Sequence, residues 1–294
     1  MRDTILYGDC RKTLGTLHAQ ITTGITERPR MCVTSPPYYG LRDYGGEESQ
    51  IGLEQSPEEY IEQMVEVMSL VRDCLTDDGT LWLNIGDSYY NYRPGKSYVK
   101  QTVSKTDQDL PEHTSKRANK LEGLKEKDLI GIPWMLAFAL RKDGWYLRQD
   151  IIWHKPNPMP ESVRDRCTKS HEYIFLLSKK QNYYFDVDAI KEPTRRKRSV
   201  WNVQNKPYRG SHFAVYPPEL IEPCILAGSE EGDIVLDPFM GSGTTAMVAK
   251  SLGRDYIGCE LHEDYGNLIQ KRIGKSVPDN EVSQESPINI LDII

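Results

Sequence analysis

The stretch that most constrains the fold is GDIVLDPFMGSGTTAMVAKSLGRDYIGCELHEDY, at residues 232–265. An apolar run ends at Asp237, and the glycines Gly241 and Gly243 follow it in a tight turn. Small residues then open a helical stretch, and a second apolar run ends at Glu260. Strands joined by a helix run parallel, and glycine lets the backbone approach a ligand closely. The stretch therefore predicts a strand–turn–helix–strand unit with a ligand at the carboxyl ends of its strands.

The remainder of the chain repeats this alternation of strands and helices, which predicts an α/β fold with a doubly wound, mostly parallel sheet. Short β-prone runs precede the sequences GDC and SPP near the N-terminus. The clearest helix begins after Ser56, its predicted N-cap, with Pro57 at the first helical position, and it ends before Gly79. Later strands are predicted at TLWLNIGDS and YLRQDIIWHKP, and later helices at IPWMLAFALRKDG, PPELIEPCILAGS and GNLIQKRI.

The strand and helix pattern continues to residue 274 without an internal repeat, so we expect one domain over residues 1–274. The segment 89–127 is polar, rich in Lys, Asp, Ser and Thr, and has little periodicity. This composition predicts a mobile insertion within the domain. The polar residues 275–294 are predicted to form a frayed C-terminal tail.

Composition narrows the class of protein. The 294 residues include 37 Lys and Arg against 43 Asp and Glu, and the net charge of −6 argues against a protein that coats nucleic acid. The longest strongly apolar stretch, residues 133–140, is too short to cross a bilayer, and no secretory signal is recognised. Six cysteines lie far apart without a CxxC pair, and no histidines converge. We therefore expect a cytoplasmic protein with reduced, buried thiols and no metal.

A basic segment, TRRKRSVWNVQNKPYRG at residues 194–210, contrasts with the acidic whole. Four consecutive cations lie near Trp201 in this segment: Arg195, Arg196, Lys197 and Arg198. Cations mixed with aromatic rings suit contact with the phosphates and bases of a nucleic acid. The alternative is a solvated charged loop.

The residues around the glycine turn discriminate between nucleotide ligands. A phosphate-binding loop needs Gly-Lys-Ser/Thr, and no lysine follows the glycines here. The dinucleotide fingerprint GxGxxG is matched only in its looser form with a final alanine. Asp237 can accept hydrogen bonds from an ammonium group, and Glu260 can accept them from ribose hydroxyls. These carboxylates suit a nucleoside that bears an amino acid and no phosphate, such as S-adenosylmethionine; the alternative is a glycine turn without a ligand.

A second turn, VTSPPYYG at residues 33–40, places two tyrosines after two prolines and alone is consistent with a surface turn. TSPPY together with DPFMGSGTT resembles the amino-directed DNA methyltransferases, in which a (D/N/S)PP(Y/F) motif handles the target amine and a DPF.GSGTT motif binds S-adenosylmethionine. The resemblance extends from LYGDC to YIGCELHEDY, in the motif order of the permuted β group. It implies a Rossmann-like methyltransferase fold with a small target-recognition region, which we place at residues 181–211.

The resemblance implies a mechanism for the residues Ser35, Pro36, Pro37 and Tyr38. An exocyclic amine is a poor nucleophile because its lone pair is delocalised into the ring, and inside a duplex the base must first flip out. The Ser35 hydroxyl and the Pro36 carbonyl can each accept one amine hydrogen, which frees the lone pair for in-line attack on the sulfonium methyl. Tyr38 can stack on the flipped ring.

The residue chemistry above and the resemblance together predict further contacts with ligands. The cofactor set consists of Asp9, Cys10, Asp237, Phe239, Gly241, Ser242, Gly243, Thr244 and Glu260. The set expected to contact double-stranded DNA consists of Tyr39, Trp153, Lys155, Arg195, Arg196, Lys197 and Arg198. The structural alternatives are a turn role for Asp9 and core packing for Trp153 and Phe239. A homodimer, a cognate restriction endonuclease and association with the nucleoid stay open.

Several interpretations of the target also stay open. Serine at the first motif position favours cytosine N4 over adenine N6, because aspartate is the usual first residue in adenine enzymes of the family. Cytosine C5 methylation needs a thiolate, but Cys224 lies in an apolar helical run, where packing is its expected role. The remaining alternatives are an RNA or protein methyltransferase and a DNA-binding module without catalytic activity.

Overall fold

The computed structural model describes residues 1–40, 50–90, 121, 123–205 and 216–274. Residues 91–120 and 122 of the predicted insertion lie outside this set, as do residues 206–211 of the predicted recognition segment and the predicted tail. The described ends of the insertion contact each other, because the Lys127 N–H donates to the Tyr90 carbonyl at 2.9 Å.

In the described part of the chain, eight strands form one mixed sheet. In chain order they are β1 (Thr4–Tyr7), β2 (Met31–Thr34), β3 (Thr80–Ile85), β4 (Tyr146–His154), β5 (His171–Ser178), β6 (Val200–Asn202), β7 (Ile234–Asp237) and β8 (Asp255–Glu260). Their order across the sheet is β1-β8-β7-β2-β3-β5-β4-β6. Five neighbouring pairs are parallel, and β5 runs antiparallel to both β3 and β4. The prediction of a mostly parallel sheet is confirmed.

The described helices lie between these strands and after the last one. They are α1 (Cys10–Thr22), α2 (Pro57–Cys74), α3 (Ile132–Lys142), α4 (Pro218–Gly228), α5 (Thr244–Ser251) and α6 (Gly266–Ile273). The predicted start of α2 is confirmed, because the Ser56 hydroxyl accepts from the Glu59 N–H at 3.2 Å and Pro57 is the first helical residue. The acidic side chains in its first turn favour this helix end electrostatically.

Helices cover the sheet on both faces. α1, α2 and α3 bury their apolar sides against one face, and α4, α5 and α6 bury theirs against the other. Successive residues of β3 alternate between the two cores: Leu81 and Leu83 belong to the first and Trp82 to the second. This alternation follows from the two-residue period of a strand and explains why the central strands are apolar throughout.

The chain leaves the middle of the sheet in two directions. From β2 it passes through α2 to β3, and from β7 it passes through α5 to β8 on the opposite side. Because such crossovers are right-handed, the two directions place α2 and α5 on opposite faces of the sheet. The neighbouring ends of β2 and β7 therefore form the topological switch point, the place at which open α/β sheets bind their ligands.

The sequence pattern does not predict α1 or the direction of β5. The apolar side of α1 is a narrow stripe of Leu14, Leu17 and Ile21, and Gly15 lowers the helix propensity between them. An apolar run carries no information about strand direction. The connection at 155–170 contains no helix, so the chain returns beside β4 in the antiparallel sense.

Candidate active site

A cavity of about 190 Å³ lies at the carboxyl edge of the sheet, over the switch point. It exceeds the space that one water needs by roughly tenfold, so it can take a small organic ligand. The residues that follow β1, β2, β7 and β8 supply its wall. The sequence-predicted residues in the wall are Asp9, Cys10, Ser35, Pro36, Pro37, Tyr38, Phe239, Gly241, Ser242, Thr244 and Glu260. The proline turn and the glycine turn thus meet in one space, although most of the chain separates them in sequence.

Asp237, at the end of β7, lies behind the cavity wall and joins the two central strands. Its Oδ1 accepts from the Thr34 hydroxyl (2.6 Å) and the Phe239 N–H (3.0 Å), and its Oδ2 accepts from the hydroxyls of Thr245 (2.5 Å) and Tyr216 (3.3 Å). The residue is 1% exposed, and burial raises the pKa of its carboxyl. Asp237 is not brought to the cavity lining. The observed contacts hold β2 against β7, and the ammonium contact stays a prediction.

The glycine turn depends on backbone conformations that glycine adopts easily. Gly241 and Gly243 have φ angles of +53° and +81°, in the left-handed region. A Cβ on Gly243 would lie 3.0 Å from a side-chain carbon of Ile269 on α6, so the turn packs closely against that helix. Gly243 lies outside the cavity lining, whereas Gly241 and Ser242 belong to it. The hydroxyl of Ser242 accepts from Arg272 at 2.5 Å.

Glu260, the last residue of β8, presents a carboxyl group to the cavity. Its two oxygens accept from the backbone N–H groups of Gly241 (2.8 Å) and His262 (3.1 Å). The residue is 7% exposed, and burial raises the pKa of its carboxyl from 4.5 to about 7 in spite of these bonds. Each carboxylate oxygen has a further lone pair, so Glu260 can still accept hydrogen bonds from ligand hydroxyls.

Two buried polar atoms on the cavity wall have no hydrogen-bond partner among the described residues: Thr244 Oγ1 and His262 Nε2. Thr244 is 3% exposed and is the first residue of α5. A buried polar atom without a partner costs about 1–3 kcal/mol. A ligand with hydroxyl, amine or ring-nitrogen groups would satisfy these atoms, so the wall fits a nucleoside that carries an amino acid better than it fits an apolar molecule.

Asp9 and Cys10 supply the wall after β1. The Asp9 carboxylate caps α1 by accepting from the Arg11 N–H at 2.9 Å, and it forms an ion pair with the Arg11 guanidinium at 2.7 Å. Burial opposes the charge on Asp9, but the hydrogen bonds from Arg11 outweigh it and lower the pKa of the carboxyl. Burial raises the pKa of the Cys10 thiol to about 12, so this thiol is neutral.

The Ser-Pro-Pro-Tyr turn directly follows β2. The Tyr60 hydroxyl on α2 donates to the Pro37 carbonyl at 2.9 Å and holds the turn against that helix. Within the described chain, no hydrogen bond reaches the Pro36 carbonyl. The two prolines also limit backbone rotation, since the ring of each one fixes φ. The turn therefore keeps one carbonyl bound to the protein and leaves the preceding one to a ligand.

Tyr38 is held by residues that the sequence analysis does not single out. Its hydroxyl donates to Glu172 Oε2 at 2.7 Å and lies 3.3 Å from the side-chain oxygen of Asn84. Burial and the charge of Glu172 raise the pKa of Tyr38 well above its usual value, so the hydroxyl keeps its proton. Gly86 contacts the ring: a Cβ at that position would lie only 2.8 Å from a ring carbon.

Three residues predicted to contact DNA lie outside the cavity lining. Trp153 is 3% exposed, and its indole N–H donates to a backbone carbonyl at 2.8 Å, as its core-packing alternative implies. Lys155 forms an ion pair with Glu172, and its ammonium lies 4.2 Å from the centre of the Trp153 ring. Tyr39 packs against Tyr60, with ring centroids 5.7 Å apart. Their contacts with DNA stay predictions.

The basic cluster lies next to β6, at the edge of the sheet. Arg195 forms an ion pair with Glu192 at 2.5 Å, and the Lys197 ammonium lies 5.0 Å from the centre of an indole ring. Arg196 and Arg198 are exposed, and no described carboxylate forms an ion pair with either. These two arginines are the members of the cluster best placed to meet phosphates.

The sequence patterns do not identify Glu172, Asn84 or Tyr60 as residues of the site. Of the three, Asn84 leaves the clearest signal in the sequence, because this polar residue interrupts the apolar strand TLWLNI. It is 3% exposed. Buried polar side chains usually have specific partners, so this interruption is a usable signal. Glu172 precedes the apolar run of β5, but no spacing in the sequence connects it to Tyr38.

Other reactive groups lie away from the cavity. Cys224 is fully buried on α4, and burial raises the pKa of its thiol, which does not suit a thiolate nucleophile. Five cysteines are buried as expected, but Cys167 is exposed on the connection between β4 and β5.

In the chain as described, with its gaps after residues 40, 90 and 205, no group of three or more His, Cys, Asp or Glu side chains could hold a metal ion. The same residues include no helix with the length and apolar character needed to cross a membrane.

Comparison with known proteins agrees with this geometry. A family model described as DNA methylase matches residues 30–271. The Type II methyltransferase M.SmaI of Serratia marcescens is 51% identical over 276 residues, which cover 92% of this chain and 90% of M.SmaI. The solved PvuII DNA methyltransferase (cytosine-N4-specific) has a TM-score of 0.66 at 19% identity, over 96% of this chain and 89% of that one. The M1.HpyAVI–SAM complex has a TM-score of 0.58 at 19% identity, over 92% and 98%.

Proposed function

Because this chain belongs to the N6/N4 DNA methylase family, we propose that it transfers a methyl group from S-adenosylmethionine to the exocyclic amine of a flipped base in double-stranded DNA, with cytosine N4 as its target. The observation that carries the proposal is the single cavity lined by both the proline turn and the glycine turn. A methyl donor held by one turn then shares a confined space with an amine held by the other, which supplies proximity and orientation.

The side of the cavity formed after β1, β7 and β8 is proposed to hold S-adenosylmethionine. Glu260 accepts from the ribose hydroxyls, and the Thr244 hydroxyl, which has no partner among the described residues, meets a polar group of the donor. Phe239 packs on the adenine, with Asp9 and Cys10 beside it. When bound, S-adenosylmethionine supplies an electrophilic methyl group on a sulfonium. The bound complex of the structurally similar M1.HpyAVI supports this choice of donor.

The side of the cavity formed after β2 is proposed to hold the target amine. The Pro36 carbonyl accepts one amine hydrogen and the Ser35 hydroxyl accepts the other. Both acceptors draw the nitrogen toward a tetrahedral shape and stabilise the positive charge that develops on it. The Tyr38 ring lies in the same wall and offers a surface on which the extruded base stacks.

Cytosine N4 is proposed as the target because serine leads the motif at Ser35. The PvuII enzyme, whose structure is similar, is itself cytosine-N4-specific. The alternative within the family is adenine N6. Adenine is larger than cytosine and would require more of the space beside Tyr38. The motif alone does not distinguish the two bases, but the identity of the methylated product does.

Duplex DNA is the proposed macromolecular partner, and Arg196 and Arg198 are proposed to contact its phosphates. The similar Serratia protein is a Type II methyltransferase, which supports pairing with a restriction endonuclease that reads the same site. A homodimer and association with the nucleoid are part of the same proposal. Sedimentation of the purified chain with and without duplex DNA tests the dimer.

A parallel acceptor assay tests the proposed function. The purified full chain is incubated with S-adenosylmethionine labelled in the methyl group and with unmethylated genomic DNA, structured RNA or mixed protein as the acceptor. We expect label on DNA alone. Label confined to RNA or to protein would contradict the proposal, and so would DNA binding without any transfer.

A further inference from the structure

Tyr38, Glu172 and Lys155 form a chain of polar contacts beside the cavity. The Tyr38 hydroxyl donates to Glu172 Oε2 at 2.7 Å, and Glu172 Oε1 pairs with the Lys155 ammonium. The side chains of Glu172 and Lys155 are each only 16% exposed. Charged groups so far from water are costly unless they are paired, and here each one has the other as its partner. Such an ion pair contributes little net stability, which raises the question of its function.

Tyr38 belongs to the cavity wall, whereas Glu172 and Lys155 do not. The hydroxyl is thus bound by Glu172 from outside the cavity wall and by Ser35 from within it. Gly86, just after β3, limits the ring from another direction, since a Cβ there would lie 2.8 Å from Tyr38 Cε2 and 3.3 Å from the Glu172 carboxyl carbon. Asn84 adds a contact to the Tyr38 hydroxyl at 3.3 Å. The ring therefore has one orientation that satisfies all of these neighbours.

Lys155 has a defined place in this arrangement. Its ammonium lies over the ring of Trp153. That ring is buried in the core on the sheet face covered by α4, α5 and α6. The cation is thus held between an aromatic face and a carboxylate. Glu172 is in turn held at a fixed position at the start of β5.

We propose that Glu172 is a positioning residue for methyl transfer, which fixes the orientation of the Tyr38 ring and is itself held in place by Lys155. The inference rests on the proposed function, because it takes Tyr38 as the surface on which the flipped base stacks. Glu172 acts through Tyr38 and does not touch the base. An error in ring orientation displaces the target amine from the donor methyl, and small displacements of this kind lower turnover strongly.

The test compares Tyr38→Phe, Glu172→Gln and the double variant with the wild-type full chain on unmethylated genomic DNA. Tyr38→Phe keeps the ring and the Glu172–Lys155 pair and removes only the hydroxyl. Matched controls are Tyr146→Phe, at the opposite edge of the sheet, and Glu27→Gln, in an exposed ion pair with Arg2. The measured quantities are kcat, the KM for DNA, the Kd for S-adenosylmethionine and the thermal unfolding temperature.

Each single variant is expected to lower kcat by about tenfold or more, with the Kd for S-adenosylmethionine changed by less than about twofold. The double variant is expected to lose no more than the worse single variant, because Tyr38→Phe removes the hydrogen bond that Glu172→Gln weakens by replacing a charged acceptor with a neutral one. The two controls are expected to retain the wild-type kcat. Glu172→Gln leaves Lys155 without a charge partner, and if that variant does not fold, Tyr38→Phe carries the test.

The two ways in which the experiment can fail are distinguishable. Wild-type transfer to DNA with an unchanged kcat in Tyr38→Phe would overturn the positioning role and leave the proposed function intact. Losses that add in the double variant would also overturn it, since Glu172 would then act independently of the Tyr38 hydroxyl. An absence of transfer by the wild-type chain would overturn the proposed function and the positioning role together.

Discussion

Glu260, the proposed acceptor for the ribose hydroxyls, also affects the stability of the fold. Burial raises the pKa of its carboxyl from 4.5 to about 7, so the folded chain holds this proton more tightly than the unfolded chain does. A raised pKa contributes stability that is fully present below about pH 4.5 and is lost as the pH rises through about 7. The charged form, which suits the proposed contact with ribose best, is therefore also the form that destabilises the fold.

Glu260→Gln is expected to remove this dependence on pH. The free energy of unfolding of the wild-type chain, measured relative to that of the variant, should fall by about 3 kcal/mol between pH 4.5 and pH 8. Urea denaturation of both proteins without S-adenosylmethionine, at several pH values, measures the difference. The same difference at every pH would contradict the raised pKa.

At the residue scale, the sequence predicts which residues belong to the site better than it predicts how their side chains are oriented. The residues from Ser35 to Tyr38 and the acceptor Glu260 are placed in one wall, as the motifs lead one to expect. Asp237 is equally prominent in its motif, yet its carboxylate is bound behind the wall. Glu172 escapes notice because its partner lies on another strand, and only the folded chain brings them together.

At the element scale, the hydrogen bond from Thr34 to Asp237 joins the end of β2 to the end of β7. These strand ends carry the two turns of the cavity, so this contact sets their relative position. Thr34 is fully buried, and valine has nearly its shape without its hydroxyl. Removal of the hydroxyl leaves a buried carboxylate oxygen with one donor fewer.

Thr34→Val is expected to lower the free energy of unfolding by about 1–3 kcal/mol. The affinity for S-adenosylmethionine should also fall, because the two turns lose their common anchor. Thr16→Val is the matched control: that hydroxyl is exposed on α1 and donates to the Lys12 carbonyl at 3.1 Å, and its loss should cost less than about 0.5 kcal/mol. Urea denaturation and calorimetric titration measure both effects. Equal behaviour of the two variants would exclude the anchoring role.

The elements themselves differ in how well the sequence predicts them. α2 has an N-cap and a proline at its first position, both found as predicted, and it buries a wide apolar stripe. α1 lacks such a combination of signals, and the sequence pattern does not predict it. The direction of β5 is a property of the connection before it and of the neighbours it meets, neither of which a local pattern encodes.

At the scale of the whole molecule, a net charge of −6 has to be reconciled with a polyanionic substrate. Arg196 and Arg198 at the sheet edge, which are exposed and form no ion pair with a described carboxylate, offer a local solution. Each phosphate contact contributes about one unit to the slope of log affinity against log salt concentration. The charge of the remaining surface then limits non-specific binding.

The joint variant Arg196→Gln with Arg198→Gln is expected to reduce the magnitude of that slope by roughly two. Its matched control is Arg141→Gln with Lys142→Gln, which removes the same charge at the exposed end of α3. Fluorescence anisotropy with a labelled duplex at several salt concentrations measures both. Equal reductions in the two variants would show a general charge effect and refute a phosphate site beside β6.

The most direct test of the account is the identity of the nucleoside that the chain produces. Unmethylated genomic DNA is treated with the wild-type protein and S-adenosylmethionine, digested to nucleosides and analysed by mass spectrometry against standards. Transfer to an exocyclic amine held by Ser35 and Pro36 predicts N4-methyldeoxycytidine. N6-methyldeoxyadenosine would contradict the choice of base, and 5-methyldeoxycytidine would contradict the chemistry assigned to the cavity.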